Sequence, residues 1–178
     1  MATRKTRENA DAVQLRRLYI DSRYGQLHLM TAYPRSGGFD ERTPVLMLHG
    51  DGGSGAGFRH VAARLGSDRS VYAPDLPGSG NSDGPSRPSI ANHAAALADL
   101  LDALGLREVD VLGSGRGAQA AFELAALRPL QVRRLLIAGT APQAASSKPL
   151  LQLASDPAQC AEDAAPAVVA QIRGFLDR

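Results

Sequence analysis

The stretch Val109–Ala125, VDVLGSGRGAQAAFELA, places Gly113, Gly115 and Gly117 at alternate positions between an apolar run and an alanine-rich one. Glycines spaced this way remove side chains where a strand turns sharply into a helix and the two backbones cross closely. Such a turn has two chemical uses. It lifts a nucleophilic side chain clear of a sheet, or it aims the NH groups of a helix N-terminus at a phosphate. The second use has a spacing match: Gly113, Gly115 and Ala118 fit G-x-G-x-x-A, the dinucleotide fingerprint. That fingerprint needs an Asp or Glu at the end of the next strand to hold a ribose, and here that strand ends LLIAGTAP with no acid. Arg133 and Arg134 stand at its beginning, on the wrong side of the sheet for a phosphate. The turn also follows about the fifth strand of the chain, where the fingerprint normally follows the first, so a dinucleotide-binding protein is the remoter reading.

Other reactive side chains are sparse. Cys160 is the single cysteine, which rules out an internal disulfide and leaves no thiolate set for a metal, so no metal and no cofactor is expected. Nothing in PAQCAED supplies a base to activate it. The four histidines are His28, His49, His60 and His93. Charge is nearly balanced, 20 basic against 18 acidic residues, which argues against a nucleic-acid partner. No apolar stretch is long enough to span a bilayer, so no membrane association is expected. Arg4, Lys5 and Arg7 are interrupted by Glu8 and Asp11 with no apolar run behind them, which reads as a flexible, solvated tail over 1–12 and a cytoplasmic protein.

At 178 residues and 44% hydrophobic, the rest suits one domain, 13–178. VQLRRLYID and GQLHLMTAYP flank SRYG, which predicts an N-terminal hairpin polar enough for a sheet edge. TPVLMLHG, SVYAPD, EVDVLGS and VRRLLIAGT read as further strands. Helices are predicted around FRHVAARLG, over SIANHAAALADLLDALGL with Ser89 as N-cap, and over GAQAAFELAALRP, stopped by Pro129. Strands alternating with helices imply an α/β fold: a mostly parallel sheet of about six strands with the antiparallel hairpin at its start and helices on both faces. Residues 143–162 read as a linker with one helical turn, and 163–178 as an amphipathic closing helix with Val168, Val169, Ile172, Phe175 and Leu176 on its apolar face. Val132–Thr140 would then be an edge strand, and either a homodimer through that edge or cover by Pro142 to Asp163 would resolve it.

LMLHGDGGSG, YAPDLPGSGNSD, VDVLGSGRGA and VRRLLIAGTAP occur in that order, and over Val13 to Pro142 the chain resembles the α/β-hydrolase superfamily, in its lid-bearing esterase, epoxide hydrolase and haloperoxidase-like branch. The resemblance implies that GSGRG is the nucleophile elbow, G-x-Nuc-x-G, with Gly115 at the nucleophile position. It implies that His49-Gly50 positions the NH of Asp51 as half of an oxyanion hole, with the NH of Arg116 as the other half. The DLPGSGNS turn, Asp75 to Ser82, would be a structural signature. After Thr140 the chain has no room for the lid, the strand carrying a catalytic acid and the strand followed by a catalytic His that the family adds there. The fold is thus expected to be an incomplete version lacking the lid and last two strands.

Hydrogen is all that Gly115 carries, and attack on a carbonyl, an epoxide or an alkyl halide needs Ser, Cys or Asp. Ser114 lies one residue early, where its side chain leaves the turn in another direction. The expectation is therefore a pseudoenzyme that binds a small-molecule ligand or anion at His49, Gly50, Asp51 and Arg116, or that self-associates. Arg116 would fork to the anion, and the Asp51 carboxylate opposes this unless it points away. The alternative is an active hydrolase using Ser114 or residues from another subunit.

Overall fold

A computed structural model describes residues 13–35, 42–139 and 146–178, so the expected 1–12 tail lies outside the described residues. The hairpin forms as the sequence implies. Strands β1 (Leu15–Ser22) and β2 (Gly25–Ala32) pair antiparallel from Leu15↔Ala32 to Ser22↔Gly25. The tight turn is possible because Gly25 takes φ 106°. Of the two hairpin strands, β1 alone lies at the sheet edge. The far side of β2 pairs antiparallel with β4 (Arg69–Pro74), and residues 27–32 are buried because Leu27 and Leu29 face one apolar layer while Met30 and Ala32 face the other.

The remaining strands are β3 (Arg42–Leu48), β5 (Val109–Ser114), β6 (Val132–Ala138) and β7 (Leu150–Leu153). The sheet runs β1-β2-β4-β3-β5-β6-β7, parallel from β4 onward. It therefore has seven strands, where the sequence suggests about six. The difference lies in the expected 143–162 linker, where PLLQLA supplies β7. Two alternate leucines suffice, because Leu151 and Leu153 land on the apolar layer that already holds Ala138 and Ile172. This also corrects the expected edge. β7 pairs with Leu135–Ala138 and covers the outer side of β6 along those residues, which is the cover by the following segment that the sequence offers beside a homodimer.

Helices α2 (Ile90–Ala103) and α3 (Arg116–Leu127) cover one face, and α1 (Arg59–Leu65) and α4 (Ala165–Leu176) the other. Ser89 caps α2 as predicted, in a capping box with Asn92. The apolar stripe of α2 is broad, since it packs on both the sheet and α3. Ala96 and Leu100 are buried, while Ala91 is exposed.

The closing helix is held at its C-terminus by arginines from the strand starts. Arg133 and Arg134 donate to the carbonyl of Leu176, which has no partner within the helix, and their charge suits the negative end of the helix dipole. Asp177 accepts from Arg42 and, at 2.7 Å, from the fully buried Arg69, whose Nε also binds Asp68 at 2.9 Å. Burial alone would raise the Asp177 carboxyl, but the hydrogen bonds from Arg69 and Arg42 outweigh it and hold the group below its ordinary value. Removing Asp177 leaves a buried guanidinium short of a partner. Asp177→Ala is expected to lower the unfolding free energy in urea by about 2 kcal/mol, with α4 the first segment to lose amide exchange protection.

Candidate functional site

At the elbow, β5 ends in Ser114, α3 begins with Arg116, and Gly115 between them takes φ 50° and ψ −119°. L side chains rarely adopt that conformation, and where they do the strain is usually tied to function. The flanking glycines answer a steric demand. A Cβ on Gly117 would stand 2.2 Å from the carbonyl oxygen of Leu48, and one on Gly113 would stand 2.5 Å from that of Gly117. Gly115 is different. A Cβ there meets Gly50 Cα at 3.4 Å and the NH nitrogen of Asp51 at 3.9 Å, which is ordinary contact. The elbow therefore has room for a side chain that would face the Asp51 NH, and the residue present offers none. Ser114, one residue earlier, is only 2% exposed. Its Oγ lies beside Gly50 and has no hydrogen-bond partner among the described residues.

The loop facing the elbow is held by His49. Its Nε2 accepts from the NH of Leu76 at 2.9 Å, so that nitrogen carries no proton, and Nδ1–H donates to the Gly50 carbonyl at 2.8 Å. Both ring nitrogens are used to position backbone. Asp75 holds the next turn: its carboxylate accepts from the NH of Gly55 at 2.7 Å and of Asn81 at 2.9 Å, and pairs with His28 at 3.0 Å. Gly80 is needed here, because a Cβ would stand 2.2 Å from the Asp75 carboxylate. His60 is half-buried on α1. His93, in the first turn of α2, is 1% exposed with both ring nitrogens unpartnered among the described residues. Burial first, and then the positive charge of Arg116, push its pKa down to about 4.

The structure brings His49, Gly50, Asp51 and Arg116 together, as the sequence implies, but with a different use of charge. Arg116 Nε donates to Asp51 Oδ1 at 2.6 Å, so the guanidinium expected to fork to an anion is engaged by the loop opposite. Beside this pair lies a cleft of about 440 Å³, lined by residues 49–54 and by Asp156, Ala158 and Gln159. Ala158 and Gln159 come from a 3-10 turn, Pro157–Gln159, with Asp156 at its N-cap, inside the segment that the sequence reads as a linker with one helical turn. Asp156-Pro157 signals a turn start, with the Asp156 side chain accepting from the Ala158 NH, but nothing local says where the turn docks. Among the described residues no group of three His, Cys, Asp or Glu side chains could hold a metal, and no helix is long and apolar enough to cross a membrane.

The family model of the alpha/beta hydrolase fold matches residues 43–177. The chain belongs to that family. A 2-hydroxymuconate semialdehyde hydrolase of Pseudomonas sp. (strain CF600) is 36% identical over 106 residues, 55% of this chain and 36% of the relative. Among solved structures, epoxide hydrolase CorEH superposes with TM-score 0.63 at 28% identity, covering 70% of this chain and 42% of that one. A serine-to-glycine mutant of the N-acyl homoserine lactonase AidH, complexed with N-hexanoyl homoserine lactone, gives 0.61 at 30% identity, covering 70% and 45%. The chain thus spans less than half the length of these relatives.

Two measurements follow from the geometry. Gly117→Ala should cost about 3 kcal/mol or more in urea unfolding, because backbone must move. Gly115→Ser should cost only about 1–2 kcal/mol, the strain of its φ. The second measurement concerns His93. With its folded value depressed from 6.5 to about 4, its contribution to stability is complete above pH 6.5 and is lost as pH falls toward 4, since only the unfolded chain takes up the proton in that window. From about pH 7 to about pH 4.5 the wild type should lose about 5–10 °C more in melting temperature than His93→Leu.

Proposed function

We propose that this chain is a hydrolase-family protein without hydrolytic chemistry of its own, and that its elbow and facing loop bind a small ligand. The observation that carries this reading is Gly115: the sharp elbow turn is present, the space for a side chain is open toward the Asp51 NH, and no atom able to attack stands there. The neighbouring side chains do not repair the loss. Ser114 is buried, both nitrogens of His49 position backbone, and Nδ1 of His28 is paired with Asp75. What the site retains is suited to binding. The first-turn NH groups of α3 and the Asp51 NH border the space above Gly115, and such groups hold an electronegative atom without any nucleophile. The lactonase neighbour supports this, as a serine-to-glycine mutant of it is complexed with N-hexanoyl homoserine lactone.

Hydrolysis of p-nitrophenyl acetate and of styrene oxide tests the reading. The expected rates equal those of buffer and do not change in Ser114→Ala. A rate above buffer that disappears in Ser114→Ala would overturn it and establish an active hydrolase built on Ser114.

A further inference from the structure

The sheet ends in two edge strands that are guarded unequally. On β1, Arg16, Arg17 and Asp21 are exposed, and charges of this kind keep an edge from pairing with another chain. β7, LLQL, carries none. In its parallel ladder with β6, the carbonyl of Pro149 accepts from the NH of Leu135. Backbone groups alternate sides along a strand, so Leu151 and Leu153 also turn their NH and carbonyl toward β6. Leu150 and Gln152 turn theirs outward, where no strand among the described residues meets them.

Apolar surface lies beside this open edge. Leu150 is exposed on the α3 side of the sheet, and Lys148 donates to the Pro129 carbonyl, which sets the turn carrying Leu130 at the start of β7. Leu130 is 91% exposed, and Leu127, which ends α3 just before this turn, is exposed as well.

We infer that the outer edge of β7 is the docking surface for a second copy of this chain, joined antiparallel across a two-fold axis at Gln152. Outward residues pair only with outward residues, so even-numbered positions must face even-numbered ones. With Gln152 opposite Gln152, Leu150 meets Ala154 and Lys148 comes opposite Asp156, at both ends of the paired strands. Sliding one strand back by two residues sets Lys148 against Ala154 and loses both charge pairs. The strand is thus complementary to itself in one register, and the two-fold closes the assembly at two chains. Asp156 accepts from the Ala158 NH through Oδ1, which leaves Oδ2 for the lysine of the other copy.

Sedimentation equilibrium of the full chain tests this. The wild type should dimerise with a Kd in the micromolar range, about the strength of a small interface. Gln152→Pro removes an outward NH that the ladder with β6 does not use, and should leave a monomer with unchanged circular dichroism. Lys148→Glu reverses both charge pairs at once and should weaken the dimer about tenfold. Should Gln152→Pro unfold, Lys148→Glu decides alone. A wild type that stays monomeric at about 200 μM overturns the inference. So does a dimer that Lys148→Glu leaves equally tight, or one that survives in folded Gln152→Pro.

Discussion

Two strand ends and one helix start meet at a crossing that admits no side chain. The carbonyl of Leu48 comes so close to Gly117, and that of Gly117 so close to Gly113, that even a methyl group would displace backbone. This contact places the end of β3, the turn after β5 and the N-terminus of α3 at fixed distances from one another. The loop after β3 then necessarily faces the elbow, and the Asp51 NH necessarily faces Gly115. The crossing depends on backbone shape alone. It persists whatever residue stands at position 115, so the elbow keeps its geometry with glycine there.

Polar groups complete what the crossing begins. Asp75 and His49 satisfy backbone NH and carbonyl groups in turns that would otherwise be free to move, and both side chains are almost wholly buried. At the opposite end of the strands, arginines and aspartates tie α4 to the sheet, so the second face of the sheet stays covered. Asp110 shows the cost of this arrangement. Burial raises its carboxyl, and the bidentate pairing with Arg133, with the charges of Arg134 and Arg69 behind it, opposes that rise.

Much of this is legible in the sequence because it depends on local rules. The hairpin follows from Gly25, the start of α2 from Ser89, and the elbow from three alternate glycines joining an apolar run to an alanine-rich one. β7 is not legible, because four residues with two inward leucines form a strand only where a neighbouring strand and an apolar floor already exist. The far wall of the cleft is hidden for the same reason: Asp156 and Gln159 reach it through the docking of a 3-10 turn on Gly55–Phe58, a tertiary event with no local signature. The Asp51–Arg116 pair lies between. Both residues are readable as site residues, but whether the carboxylate turns toward the guanidinium or away from it is decided by the loop that His49 holds.

The central claim is that the elbow presents no nucleophile. Intact-mass spectrometry after incubation with a fluorophosphonate tests it most directly, since the reagent adds covalently to an activated serine in proportion to its nucleophilicity. The account predicts that the chain keeps its unmodified mass. A stoichiometric adduct that maps to Ser114 would contradict it.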